Sequence, residues 1–304
     1  MRSLPIRRPP TSKVWIAGSG RSGTTWLGQL VGAVPGTSSV FEPLHPERVR
    51  LSRATVDLMH SNTRPYLGPE ETSRAWSKLI KDIYRGRYDN DWTRQGFEGI
   101  ADHWTLGDHL RDALADKRVV KAIRSNLLIG WLARATDVKV VYIIRHPCST
   151  ILSQKTAGWA MDPKGLLASR RLVREHLAQF EWLGEGEFGS EAERRAVFWS
   201  VENLVPLRQA VGELFHVVTY EDLVRDPVTE AGKLFAYLGW QLDDDDWRRV
   251  EQAAGPPSLS RLGRWAKEME GAEVDEILSV VARFGIDLYD RDLMPSRPAM
   301  GRRT

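Results

Sequence analysis

Val14-Trp15-Ile16-Ala17, followed by Gly18-Ser19-Gly20-Arg21-Ser22-Gly23-Thr24-Thr25-Trp26-Leu27, decides how this chain folds. The four apolar residues read as a buried strand and the glycines as a tight turn. Trp26, Leu27, Leu30, Val31 and Val34 then repeat at helical spacing until Pro35-Gly36 stops them. A strand that enters a helix through glycines presents successive backbone N–H groups and a helix N-terminus to an anion. Gly18 and Gly23 stand at the G-x-x-x-x-G spacing of a nucleotide phosphate loop, and Thr24 and Thr25 add hydroxyl donors. Thr24, however, occupies the place of the lysine that reaches terminal phosphates, which argues against an ATPase. The cation lies inside the loop instead, at Arg21.

Outward from this turn, 39–41 reads as a brief strand ending at Glu42-Pro43, and polar-interrupted helices fill roughly 47–116. A strand over 119–123 precedes an apolar helix over 127–135. The run 138–144 is β-branched and aromatic without a wet face, hence central in a parallel sheet, and Arg145-His146-Pro147 ends it. A helix starts near Cys148, an irregular basic stretch covers about 160–175, a long helix spans about 191–213, and a strand over 215–219 precedes a helical remainder. This order predicts a three-layer α/β domain of P-loop-like topology around a mainly parallel sheet. One core is expected over 13–290, with a flexible N-terminal segment at 1–12 and a tail at 291–304.

Composition narrows the class. With 304 residues, 42% hydrophobic and 27% charged, the chain has the make-up of a globular protein, and its net charge of +3 does not point to nucleic acid. The single Cys148 excludes an intramolecular disulfide and a cysteine-based metal site, and no other convincing metal-ligand cluster is seen. No stretch is long and apolar enough for a membrane span, and the basic, proline-rich N-terminus lacks a signal-peptide core. A soluble, unprocessed, cytoplasmic protein is expected. The 12 Trp residues are read as core rather than as stacking surfaces.

The string Arg21-Ser22-Gly23-Thr24-Thr25-Trp26 resembles the 5′-phosphosulfate loop of the sulfotransferase superfamily, which carries Lys or Arg and then Ser-Gly-Thr-Thr, often with Trp. The resemblance implies that Gly20 to Trp26 bind 3′-phosphoadenosine 5′-phosphosulfate (PAPS) as co-substrate. It continues at Arg145 and Ser153, eight positions apart, which in the family contact the donor's 3′-phosphate. An arginine leaving the carboxyl edge of a central strand suits that task. Thr219-Tyr220-Glu221-Asp222-Leu223 is similar to the family segment whose Tyr lies near the adenine. Ser260-Arg261-Leu262-Gly263-Arg264-Trp265 looks like the last donor-binding loop, so Ser260, Arg261, Gly263 and Arg264 are expected to bind donor, although the Arg-Lys-Gly triplet of the cytosolic animal enzymes is absent.

Sulfuryl transfer to a hydroxyl needs a general base on the acceptor and cations beside the reacting oxygens. Where cytosolic phenol and steroid sulfotransferases carry a His after a strand-end Lys, Lys121-Ala122-Ile123-Arg124 keeps the Lys but has Ile123. Phe41-Glu42-Pro43-Leu44 instead resembles the carbohydrate group, which implies Glu42 as general base, with Arg21 at the transferring group and Lys121 assisting. Glu42 is expected to reach the crevice because its strand would lie next to the first one. His45 competes for the role. The expected acceptor is a hydroxylated small polar or carbohydrate-type molecule, lined by about 45–110 and 155–190. A P-loop kinase and a catalytically silent nucleotide-binding protein are the alternatives.

Overall fold

Val, Ile and Trp residues that alternate to both faces of a strand require helices on both sides, and the molecule supplies them. The computed structural model describes residues 9–50, 64–96, 105–184, 187–210, 214–256 and 259–296. Five parallel strands, β1 (Ser12–Ala17), β2 (Thr37–Phe41), β3 (Lys117–Lys121), β4 (Lys139–Ile144) and β5 (His216–Thr219), lie in the order β2-β3-β1-β4-β5. Central β1 pairs with β3 from Ser12↔Lys117 to Ile16↔Lys121 and with β4 from Val14↔Lys139 to Ala17↔Tyr142.

The two faces carry separate cores. Val14, Ile16, Val119, Val141 and Ile143 pack with α1 (Thr24–Gly32) and with three helices that follow β5. Trp15, Val40, Val120, Val140 and Tyr142 pack against α2 (Arg74–Tyr84), and also against a set that includes α3 (Ile129–Ala135), α4 (Pro147–Thr156), α5 (Glu191–Gln209) and the C-terminal α6 (Gly271–Arg283). The predicted three-layer α/β arrangement is therefore the observed one.

Three expectations are corrected. β2 is not the neighbour of β1, because β3 is inserted between them. The third strand ends at Lys121 rather than at 123, since the Ile123 N–H is taken by the Glu42 carboxylate instead of a ladder partner. The stretch 160–175 is not irregular: short helical turns at Lys164–Leu167, Arg170–Leu172 and Val173–Leu177 form because Leu166, Leu172 and Leu177 are buried. Residues 211–213 of the expected long helix lie outside the described residues; α5 ends at Gln209.

Strand β3 is held from beneath by a charge. Arg118 is fully buried, its Nε donates to Ser38 Oγ of β2 at 2.9 Å, and its two terminal nitrogens donate to the carbonyls of Tyr84 and Asp112. The Asp112 carboxylate lies 3.9 Å away. One guanidinium thus fastens β3 to β2, to α2 and to the segment before it. Arg118→Met should lower stability by about 3 kcal/mol, because a buried carboxylate and several acceptors lose their donor. The urea midpoint measures this, and a shift too small to resolve would show that the cluster contributes little.

Candidate active site

The site forms where the connections from β1 diverge, at the carboxyl ends of β1, β3 and β4, as open α/β sheets favour. The loop from Gly18 to Gly23 runs against β4 so closely that a Cβ on Gly18 would strike the Ile143 carbonyl. Gly23 caps α1 with φ of 101°, and a Cβ there would approach the Tyr220 ring at 2.5 Å. Only glycine fits both positions. Gly20 packs under the Trp159 ring, and its carbonyl accepts from Gln154 Nε2 at 2.9 Å.

A cleft of about 900 Å³ opens above this loop. Gly20, Arg21, Gly23, Thr24, Thr25 and Trp26 line one end. Arg145, Ser153 and Tyr220 lie beside them. The two expected anion sites touch: Arg21 Nε donates to Ser153 Oγ at 3.0 Å, and Arg145 Nη1 donates to the Arg21 carbonyl at 3.1 Å. The Arg145 guanidinium lies 4.2 Å over the Tyr220 ring, which meets Trp26 edge-on at 5.7 Å. Burial pulls the Arg145 pKa below its ordinary value. Its Nε and the Ser22 hydroxyl are buried without a hydrogen-bond partner. Arg21 likewise has no carboxylate in salt-bridge range among the described residues. A buried guanidinium nitrogen and a buried hydroxyl that the protein leaves unsatisfied, beside an exposed arginine, fit a ligand rich in oxyanions.

The opposite end holds Glu42, which is 2% exposed. Its N–H donates to the Lys121 carbonyl at 2.8 Å, and both carboxylate oxygens accept from the Ile123 N–H at 3.2 Å. Glu42 therefore straddles the end of β3 and reaches the cleft across it, although β2 lies one strand further out. Lys121 Nζ stands 2.9 Å from Oε1, and Arg124 Nη1 stands 3.7 Å from Oε2. The backbone adopts φ of 44° at Glu42 and 75° at Arg21. These are the two positive-φ positions occupied by residues other than glycine among the described residues. Non-glycine residues rarely hold that conformation, and where they do they concentrate at functional sites.

His45 lies in the same cleft, its ring 5.1 Å from Trp92 in an edge-on arrangement, with Nδ1 accepting from the Glu47 N–H at 3.3 Å. Burial and then the nearby Arg124 charge lower its pKa, so it is neutral near pH 7. The C-terminal donor segment is placed differently from the rest. Ser260, Gly263 and Arg264 are absent from the cleft lining, and Arg264 pairs with Glu268 at 2.7 Å. The Arg261 side chain lies outside the described residues.

Arg64, Trp92, Arg124 and Trp159 are among the lining residues that carry no role in the sequence reading. Arg124 directly follows the stretch that gives Lys121, and its strand-end position was a usable signal. Arg64 follows no pattern that places it. The Trp residues divide: Trp15, Trp76, Trp131 and Trp199 are core, whereas Trp26, Trp92 and Trp159 face the cleft.

A strand–glycine loop–helix without the Walker lysine, set at a cleft with two clustered cation sites, defines a group-transfer enzyme that handles a polyanionic donor. The profile described as the sulfotransferase family matches residues 13–244. The chain belongs to that family, whose members use PAPS as sulfuryl donor. It is similar to the sulfotransferase domain from the Synechococcus PCC 7002 olefin synthase, at 18% identity over 95% of this chain and 99% of that one, with a TM-score of 0.48. It is also similar to sulfotransferase STF9 from Mycobacterium avium, at 15% identity over 95% and 79% of the two chains, with a TM-score of 0.45. Mouse sulfotransferase SULT7A1, solved with PAP, is 14% identical over 91% and 85%, with a TM-score of 0.43. No curated protein matches the chain. Among the described residues, no helix is long and apolar enough to cross a membrane.

The residue after Arg145 supplies a pH handle. His146 is fully buried, stacked on Trp265 at 4.4 Å, with Nε2 2.9 Å from the Asp290 carbonyl and Nδ1 accepting from the Cys148 N–H. Burial pushes its pKa down to about 4. The unfolded chain, with a histidine pKa near 6.5, takes up the proton first as pH falls, so this group's stabilisation is present above 6.5 and is lost on the way down to about 4. The neighbouring Glu221 carboxyl, raised by burial, acts with the opposite sign above its ordinary value. Wild type should lose about 3 kcal/mol more between pH 7 and pH 4 than His146→Gln. Parallel urea midpoints for both proteins across that range would refute it.

Proposed function

We propose that the enzyme transfers a sulfuryl group from PAPS to a hydroxyl of a small polar or carbohydrate-type acceptor, with Glu42 as the general base. The observation that carries this reading is the meeting, in one cleft, of the Arg21 loop and a buried carboxylate held by Lys121.

The donor's 5′ end would be held by the loop N–H groups, Ser22, Thr24, Thr25 and the Arg21 guanidinium, all at the N-terminus of α1. Arg145 and Ser153 would hold the 3′-phosphate, and Tyr220 and Trp26 offer ring faces and edges for the base. Bound PAPS supplies the sulfuryl group and accepts the negative charge left on its phosphate. Arg21 lies at the loop and Lys121 at the carboxylate, so positive charge faces both sides of the reacting centre. Glu42 takes the proton from the acceptor hydroxyl at one of its carboxylate oxygens. Lys121 and the Ile123 N–H keep that carboxylate in place, which limits the reorganisation needed as the proton moves.

His45 is the competing base, neutral and in the same cleft. Glu42 is favoured because strained backbone and two close donors, Lys121 and the Ile123 N–H, fix its position, whereas the His45 ring has one backbone donor.

Glu42→Gln should keep PAP affinity within about twofold in calorimetry while lowering kcat by about 100- to 10,000-fold. A larger loss in His45→Gln than in Glu42→Gln would transfer the role to His45. Arg21→Ala should weaken both PAP binding and turnover, because the lost contact is charge-assisted in each state. PAP binding of wild-type strength in Arg21→Ala, measured by the same titration, would remove Arg21 from the donor site.

A further inference from the structure

The acceptor end of the cleft gathers three cations, Lys121, Arg64 and Arg124, near the carboxylates of Glu42, Glu202 and Glu47. Lys121 pairs with Glu42 at 2.9 Å, and Arg64 pairs with Glu202. Arg124 is left with the second Glu42 oxygen, at 3.7 Å, a distance too long for a hydrogen bond. Its Nε is buried without a partner. The guanidinium thus makes no hydrogen bond to its nearest carboxylate, which Lys121 and the Ile123 N–H already engage. Burial lowers its pKa, with Arg64 adding repulsion against the pull of Glu42 and, more weakly, of Glu202 and Glu47. A buried charge without full compensation costs several kcal/mol, so a site that retains one implies a ligand that completes it.

We infer that Arg124 is a specificity-determining residue that receives an oxyanion of the acceptor, so that the substrate class is hydroxyl compounds carrying a carboxylate or a phosphate. The inference rests on reading this end of the cleft as the acceptor side. The planar fork of arginine matches two oxygens of one oxyanion, a match that a neutral acceptor leaves unused. Trp92 and Trp159, with Met161, give the same space aromatic and apolar walls, suited to a compact ring or chain between the oxyanion and the hydroxyl. Glu42, adjacent to Arg124, then meets the hydroxyl while the oxyanion is held on the far side of the guanidinium from it. An acceptor with a positive group would meet Arg124, Arg64 and Lys121 together and is disfavoured.

The test is calorimetry on the full-length protein with two matched pairs of probes, each with and without saturating PAP. The pairs are 4-hydroxyphenylacetate against 4-hydroxyphenylacetamide, and glucose 6-phosphate against glucose. Wild type should bind the oxyanion member about tenfold or more tightly in at least one pair, and the preferred pair tells carboxylate from phosphate. Arg124→Gln should reduce that ratio below about threefold with PAP affinity unchanged, since Arg124 is not at the donor end. Arg124→Lys, which keeps the charge without the fork, should fall between the two. Equal affinity within both pairs, no binding of any probe, or a ratio that survives in Arg124→Gln each overturns the inference. Failure of PAP to bind is a separate result: it overturns the donor reading, while the titrations without PAP still decide on Arg124.

Discussion

Between Ala17 and Thr24 the chain has to turn from a central strand into a helix while its backbone lies against the end of a neighbouring strand. The Ile143 carbonyl on one side and the Tyr220 ring on the other leave no room for a Cβ at Gly18 or Gly23. That confinement aims the loop and the start of α1 at the crevice beyond the strand ends, where N–H groups can meet an anion. The rest of the donor end is arranged on it. Arg145 leaves β4 and donates to the Arg21 carbonyl, Ser153 accepts from the Arg21 guanidinium, and Gln154 holds the Gly20 carbonyl. Displacing the loop would separate all three contacts at once.

The same logic explains two strained residues. Arg21 and Glu42 both sit in left-handed backbone, which costs a side-chain-bearing residue about 1 kcal/mol or more. Neither is at a position where strain is useful for a turn alone, since glycine would serve a turn better. Arg21 is fixed through its carbonyl by Arg145 and through its side chain by Ser153. Glu42 is fixed through its N–H by Lys121 and through its carboxylate by Lys121 and Ile123. In each case the contacts that sustain the strain also orient the charged group, which is how a scaffold spends stability on a site.

What could be read from the residues in order was what depends on neighbours in order. The loop, the continuous apolar run that becomes β4, and Arg145 at its end are local patterns, and each lies where the pattern puts it. The insertion of β3 between β1 and β2 is not local, because a strand's sheet neighbour depends on the path of its crossovers. Glu42 was thus expected in the cleft for a reason that does not hold, and arrives there because it folds over the end of β3. Arg64 and Trp92 come from stretches whose periodicity says little, and only packing puts them in the cleft. In the segment 258–265, likened to a family donor loop, Ser260, Gly263 and Arg264 lie off the cleft lining, and Arg264 pairs with Glu268, one turn along its own short helix.

Charge ties the two ends of the cleft together. A carboxylate that is to act as a base inside a protein has to be desolvated, and desolvation is tolerable only if donors replace the water. Here the donors are Lys121 and a backbone N–H, with the Arg124 charge 3.7 Å away. Lys121 and Arg124 bring positive charge to the acceptor end, and Arg21 and Arg145 bring it to the donor end. Bringing two anionic ligands together in so small a space is opposed by their mutual repulsion, which falls only as the inverse of distance in a low-dielectric cleft. A row of guanidinium and ammonium groups between them offsets that repulsion and places positive charge where negative charge moves during transfer. On the proposed reading of Glu42 as base and of an anionic acceptor, holding the base and gathering the reactants are one electrostatic arrangement, shared by Lys121 and Arg124.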